Sequence, residues 1–277
     1  MRYFGFSRGD QHCHTTISSD GISTMEEMIK EAIKKGFKFI TFTEHFDSYM
    51  YVKQTKATCS DLKEYAAEAE RCRKKYPMIR IYFGIEVGMR PEPEVVDVML
   101  NELKHYEFDF VIGSIHITDG IDIAYDNSFF DGRTRDEAYG RYLDVMLKCI
   151  ELWHDHIDVL GHMDYVTRYG EGYKGGKFDS FTLISKCNDV LRALVKYGIG
   201  LEINTSGYVK GFDRTNPDFE IIKRFHDMGG RIITIGSDAH VMTNLGSHFA
   251  DAIELAQKAG FKNVAVFKNR EPEFYAL

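Results

Sequence analysis

Six histidines and several carboxylates recur in this 277-residue chain at the polar end of short apolar runs. His12 and His14 follow the first run, with Asp10 just before them and Asp20 on the next loop. Glu44 and His45 end the second run, Glu86 the third, and His116 the fourth. His162 and Asp164 end the fifth, Glu202 and Asn204 the sixth, and Asp238 and His240 the seventh. Imidazoles and carboxylates without thiolates suit zinc, iron, manganese or cobalt, and ligand type alone does not select among them. His12-x-His14 on a strand puts both rings on one face, because side chains alternate with period two. Asp238-x-His240 repeats that arrangement with one carboxylate. A tetrahedral zinc takes four ligands. Six histidines and at least three carboxylates are enough for two or three ions, and Glu86, alone after its run, is placed to bridge two of them.

A single histidine at a strand end is ordinarily a hydrogen-bonded structural residue. Six on successive strand ends are poorly explained as separate structural roles. The other five, His105, His154, His156, His226 and His248, lie on or beside helical segments and read as solvated. Cys13, between two ligands, should point to the opposite face and pack in the core. The basic stretch 71–75 reads as the wet side of a helix.

The elements that must position these residues follow from hydrophobic periodicity. Apolar runs at 37–42, 79–85, 108–115, 157–160, 199–203 and 231–235, with a weaker one around 9–13, read as strands. Helices are expected at 24–35, 60–75, 92–105, 134–154, 180–197, 216–228 and 247–259. Thr24 with Glu27 forms a capping signature, and Gly36, Gly198, Gly229 and Gly260 stand where helices stop. Seven strand–helix units with no linker between them predict one α/β barrel spanning 1–277 rather than two domains; an open doubly wound sheet is the alternative. In a parallel barrel the C-terminal strand ends share one face, which would gather the sequence-distant ligands into one pocket.

Charge narrows the partners. Thirty-five Lys and Arg against 42 Asp and Glu leave a net −7. That balance argues against a protein built to coat nucleic acid or an anionic membrane, although bound metal ions can still draw an anionic substrate. Five cysteines (Cys13, Cys59, Cys72, Cys149, Cys187) without a C-x-x-C pair suit a reducing compartment. The opening MRYFGFSRGDQH lacks the apolar core of a secretory signal. No apolar stretch reaches the ~18 residues of a membrane span. A cytoplasmic protein is expected.

The blocks His12-x-His14-x5-Asp20-Gly21, Thr43-Glu44-His45, Gly84-Ile85-Glu86, Gly113-Ser114-Ile115-His116, Gly161-His162-Met163-Asp164 and Gly236-Ser237-Asp238-Ala239-His240 resemble, in this order, the polymerase and histidinol phosphatase (PHP) superfamily. The resemblance runs from about residue 10 to 240. Within the superfamily the chain is most similar to the histidinol-phosphate phosphatases of histidine biosynthesis, through GSIHITDGIDIAYD, GHMDYVTRYG and EINTSGYVKG. It implies a distorted (β/α)7 TIM-like barrel with three divalent metal ions, zinc, iron or manganese. One ion would take His12, His14, Glu86 and Asp238; a second would share Glu86 and add His116 and His162; a third would take Asp20, His45 and His240. Some members carry histidine where this chain has Asp20, which changes the charge around the third ion.

The resemblance also implies phosphomonoester hydrolysis of L-histidinol phosphate, with Glu86 bridging the ions that activate water. Arg168 falls where these phosphatases bind phosphate, and Lys210 or Arg214 would be the second basic group. Asp164 would protonate the leaving alkoxide or orient His162. Glu44 and Glu202 would stand behind the ligands. Asp119, Asp122 or Glu202 would accept the substrate amine. The expected partner is thus a small phosphorylated metabolite, with no nucleic acid and no membrane. A nuclease acting on phosphodiesters and a metal-binding scaffold without catalysis are the rival readings. The charge weighs against the first, and the full ligand set against the second.

Overall fold

A strand buried on both faces by flanking helices reads as a continuous apolar run, and the apolar runs of this chain become the staves of one parallel sheet. The computed structural model describes residues 9–52 and 60–277; Cys59 lies outside them. In chain order come β1 (Gly9–Asp10), α1 (Met25–Lys34), β2 (Phe39–Phe42), β3 (His45–Asp47), α2 (Leu62–Lys75), β4 (Arg80–Gly88), α3 (Pro93–Leu103), β5 (Phe110–Ser114), β6 (Ile117–Thr118) and β7 (Ile121–Asp122). There follow α4 (Arg135–Trp153), β8 (Val159–Leu160), α5 (Phe181–Tyr197), β9 (Gly200–Asn204), α6 (Ser206–Val209), α7 (Phe219–Asp227), β10 (Ile233–Gly236), α8 (Phe249–Ala259), β11 (Asn263–Lys268) and β12 (Glu271–Ala276).

The main sheet runs β1-β2-β4-β5-β8-β9-β10, parallel throughout, with β3 added along β4 beyond the end of β2. Its two edges meet. Asp238 N donates to His12 O (2.8 Å) and His14 N to Ala239 O (2.9 Å), so the sheet is nearly closed into a barrel just beyond β1 and β10. Asp10 locks this seam. Its carboxylate accepts from His12 N (3.2 Å), Ser237 N (3.0 Å), Ser237 Oγ (2.5 Å) and Gly246 N (2.9 Å).

Helices pack around the barrel, and five of the eight described are started by a side chain that satisfies their first free N–H groups. Thr24 with Glu27 and Thr134 with Glu137 make complete capping boxes on α1 and α4. Asp61, Ser180 and Asp218 cap α2, α5 and α7. The expected helix at 216–228 begins only at Phe219, because Asn216 pairs with the end of β9 and Asp218 is the cap. Gly236 permits the closest approach at the seam: a Cβ there would lie 2.4 Å from His12 Cβ.

The barrel's other end is covered by the β11–β12 hairpin. Ala265 and Phe267 pack on Phe110, Ile112 and Val159. Gln11 Nε2 donates to Ala265 O (2.7 Å), and Phe267 N donates to Gln11 Oε1 (3.1 Å). Arg270, in the hairpin's turn, pairs with Asp158 at the foot of β8 (2.7 Å). No described helix is long and apolar enough to cross a membrane.

Gln11→Ala should cut both wholly buried hydrogen bonds to the hairpin, at a cost of about 1–3 kcal/mol. At roughly 2–4 °C per kcal/mol, a thermal melt should show a Tm lower by several degrees; an unchanged Tm would mean that apolar packing alone holds the hairpin.

Candidate metal centre

The parallel strands point their C-terminal ends one way, and the six histidines expected from the sequence converge there. His12, His14, Glu86 and Asp238 form the tightest set. His12 Nε2 lies 3.1 Å from His14 Nε2, 3.4 Å from Glu86 Oε2 and 3.8 Å from Asp238 Oδ1. His14 Nε2 is 3.5 Å from the same two oxygens. The other oxygen of Glu86 faces His162 Nε2 (2.9 Å) and His116 Nε2 (3.4 Å). Asp20 reaches His240 Nε2 (3.1 Å) and His45 Nε2 (3.6 Å) from the loop after β1. His45 belongs to two groups at once, because its Nδ1 is 2.9 Å from Glu86 Oε2. Three cation-sized groups of donors result: His12, His14 and Asp238; His45, Glu86 and His116; and His14, His45 and His240.

The donors fit divalent cations for a reason visible in their protons. His12 Nδ1 faces Glu202 Oε1 (2.5 Å) and His14 Nδ1 faces Ser18 Oγ (3.4 Å). With a proton on each Nδ1, the two Nε2 lone pairs point at each other across 3.1 Å, a contact that a metal ion or a shared proton between them relieves. Buried His162 Nδ1 has no hydrogen-bond partner. Burial opposes the charge of Glu86, yet His12, His116 and His45 hold its carboxyl well below the usual range. His14 is kept neutral by burial and by His45 and His240 beside it. A neutral imidazole and an ionised carboxylate are the forms that bind metal.

A further layer holds the ligands. Glu202 grips His12 and accepts from His162 N (2.9 Å). Glu44 accepts from the backbone and hydroxyls of Thr15 and Ser18, fixing the loop after β1. Both hold cluster residues or the loop beside them from outside the cluster. Asp10, grouped with the ligands in sequence, serves the seam instead. Asp47 was missed: its Oδ1 faces His116 Nδ1 at 2.9 Å. The signal was a carboxylate two residues after His45, on the same face of a strand. Cys13 turns away and donates to Thr41 O (3.2 Å). His105, His154, His156, His226 and His248 lie outside the cluster, exposed or half-buried.

Residues 10–206 match the family model described as PHP domain. The chain belongs to the PHP family. In sequence it is 33% identical, over 92% of the chain and 95% of the relative, to a protein named "Probable histidinol-phosphatase" from Clostridium acetobutylicum. It is 31% identical to "Histidinol-phosphatase" of Lactococcus lactis over 93% of each chain. The crystal structure of histidinol phosphate phosphatase from Lactococcus lactis, complexed with zinc, L-histidinol and phosphate, superposes with a TM-score of 0.86 at 29% identity, covering 96% of this chain and 99% of that one.

Above the imidazole–carboxylate cluster lies a cavity of about 250 Å³. Asp20, His45, Asp238 and His240 line one part of it, and Arg168 and Lys210 another. His116 and His162 line it too, and Tyr49, Asp122, Tyr125 and Tyr169 add a further wall. Arg168 is buried. It donates to Asn216 Oδ1 from Nε (3.0 Å) and to Ser206 Oγ from Nη2 (2.9 Å), and its Nη1 makes only a 3.4 Å contact with Asp238. Arg214 does not reach the cavity; it donates to Gly175 O, Gly176 O and Thr167 Oγ1. Asp164 departs from both roles expected of it. It does not line the cavity, and it accepts from Asn216 Nδ2 (2.6 Å), leaving His162 Nδ1 without it. Burial raises the Asp164 pKa to about 6, with Arg214 and Asn216 acting against the rise.

Removing divalent metal with a chelator should lower the Tm by roughly 10 °C, since a ligand at ~1,000 Kd contributes about 4 kcal/mol. Zinc added back should restore it. An unchanged melt would mean that the imidazoles and carboxylates satisfy one another unaided.

Proposed function

We propose that this protein is a metal-dependent phosphomonoester hydrolase acting on L-histidinol phosphate, releasing L-histidinol and phosphate. The observation that carries the reading is the meeting, in one small cavity, of the imidazole–carboxylate cluster with the buried guanidinium of Arg168. Similarity over nearly the whole chain to histidinol phosphate phosphatase supports it. We read residues 1–277 as one PHP-type unit, because the first and last barrel strands share a seam and the hairpin covers the same barrel.

In this reading His12, His14, Glu86 and Asp238 hold one ion, Glu86 with His116 and His162 a second, and Asp20, His45 and His240 a third. Zinc, iron or manganese bound there would supply a water nucleophile at neutral pH and offset phosphoryl charge. The chain's own part is to place the substrate. Arg168 Nη1, the least committed nitrogen of its guanidinium, turns to a phosphoryl oxygen, and Lys210 adds a second positive charge. Water attacks phosphorus, the ester P–O bond breaks, and the alcohol leaves with a proton. Asp164 is not the donor of that proton, because it does not line the cavity.

The substrate amine is matched by Asp122. Of the three acids considered, Asp119 is bound to Arg141 (2.6 Å) and Glu202 to His12, whereas Asp122 faces the cavity with Tyr49 as a neighbour. The cavity's acids and its small volume oppose a polynucleotide, which needs a long basic groove.

Metal-loaded protein should release phosphate from histidinol phosphate far faster than from p-nitrophenyl phosphate. Equal rates would keep the reaction class and sink the substrate. Asp122→Asn should raise KM for histidinol phosphate about tenfold, the worth of one charge-assisted hydrogen bond, and leave that for p-nitrophenyl phosphate unchanged.

A further inference from the structure

Asn216 is wholly buried between two charged groups. Its Nδ2 donates to Asp164 Oδ1 (2.6 Å), and its Oδ1 accepts from Arg168 Nε (3.0 Å). A carboxylate only accepts and a guanidinium only donates, so the order anion–amide–cation allows one orientation of the amide. Flipping it would set oxygen against oxygen and N–H against N–H.

The backbone of Asn216 is fixed as firmly. It exchanges hydrogen bonds with Asn204 at the end of β9, Asn216 N to Asn204 O (2.8 Å) and Asn204 N to Asn216 O (2.9 Å). The first turn of α6 presses on the same segment: a Cβ on Gly207 would lie 2.3 Å from Arg214 O and 2.9 Å from Asn216 Oδ1. The amide therefore sits on a rigid mount beside the cavity.

We infer that Asn216 and Asp164 are positioning residues for phosphoryl binding, forming an anion–amide–cation bridge that holds the Arg168 guanidinium with one edge toward the cavity. This rests on the reading of Arg168 as the phosphoryl-binding arginine. The bridge has a competitor to resist. Asp238 Oδ2 stands 3.4 Å from Arg168 Nη1. Without the hold on Nε, the guanidinium would close on that carboxylate, and the charge meant for the phosphoryl group would be spent within the protein. A neutral amide avoids the same loss on the Nε side, where a carboxylate in direct contact would neutralise the arginine.

Asn216→Ala in the metal-loaded protein should weaken binding of inorganic phosphate, read from the phosphate-induced rise in Tm, by about tenfold. KM for p-nitrophenyl phosphate should rise by a similar factor, with kcat within about threefold and metal content unchanged. Asp164→Ala cuts the other end of the bridge and leaves the Asn216 backbone pairing intact, so it carries the same expectation if Asn216→Ala does not fold. Asp164→Asn keeps an acceptor oxygen and should recover most of the loss. Phosphate affinity unchanged in Asn216→Ala and Asp164→Ala, or equal losses in Asp164→Ala and Asp164→Asn, would overturn the inference. Arg168→Ala separates the two levels. If it binds phosphate as the parent does, the phosphoryl-binding reading of Arg168 fails. If it alone loses phosphate, only the bridge fails.

Discussion

Two backbone hydrogen bonds close the barrel, Asp238 N to His12 O and His14 N to Ala239 O, and the site depends on them. The residues that make the seam belong to the imidazole–carboxylate cluster or adjoin it. His12 and His14 stand on one side of it and Asp238 on the other, with more than two hundred residues of chain between them. Their side chains meet at 3.5–3.8 Å because their backbones are already paired. Asp10 and Gly236 serve the same closure, one by accepting three hydrogen bonds from the far side of the seam and the other by having no side chain. Closing the sheet and assembling the tightest ligand set are therefore one event.

The second constraint is charge. Several imidazoles and the carboxylates of Glu86 and Asp238 are taken out of water together, and burial of unpaired charge is costly. The structure meets this by alternation, each carboxylate facing imidazole nitrogens. Glu202 and Asp47 hold the outer nitrogens of His12 and His116, so the inner ones keep their lone pairs for the cluster. At the edge of this centre, Arg168 touches Asp238 only at 3.4 Å and meets Asp164 through a neutral amide. The protein thus uses close contact where charge is to be cancelled and a longer or amide-bridged one where it is to be kept.

Much of this was legible in the residue order. The seven apolar runs became the seven staves, since burial on both faces leaves a continuous apolar signature, and the capping pairs Thr24/Glu27 and Thr134/Glu137 marked helix starts. The ligands could be read because a parallel barrel turns strand ends into neighbours. The parts that escaped depend on tertiary partners. The β11–β12 hairpin turns through Asn269 and Arg270, both at positive φ, and arginine gives no turn signal there. The similar β6–β7 turn through Asp119 and Gly120 does carry one. Asp164 lies two residues from His162, and spacing alone made it a partner of that ring; the chain instead carries it to Asn216, a contact across 52 residues. Arg214 and Lys210 were equivalent as sequence; the carbonyls of Gly175 and Gly176 and the hydroxyl of Thr167 hold Arg214 away, while Lys210 lines the cavity.

The hairpin also has a consequence for stability. Its two strands pair only with each other and reach the barrel through side chains. If it detached, Phe110, Ile112 and Val159 would lose their cover and Gln11 both of its partners, while the seam hydrogen bonds of the barrel stayed intact. Such a partly opened molecule would keep its imidazole–carboxylate cluster at one end and expose an adhesive apolar surface at the other.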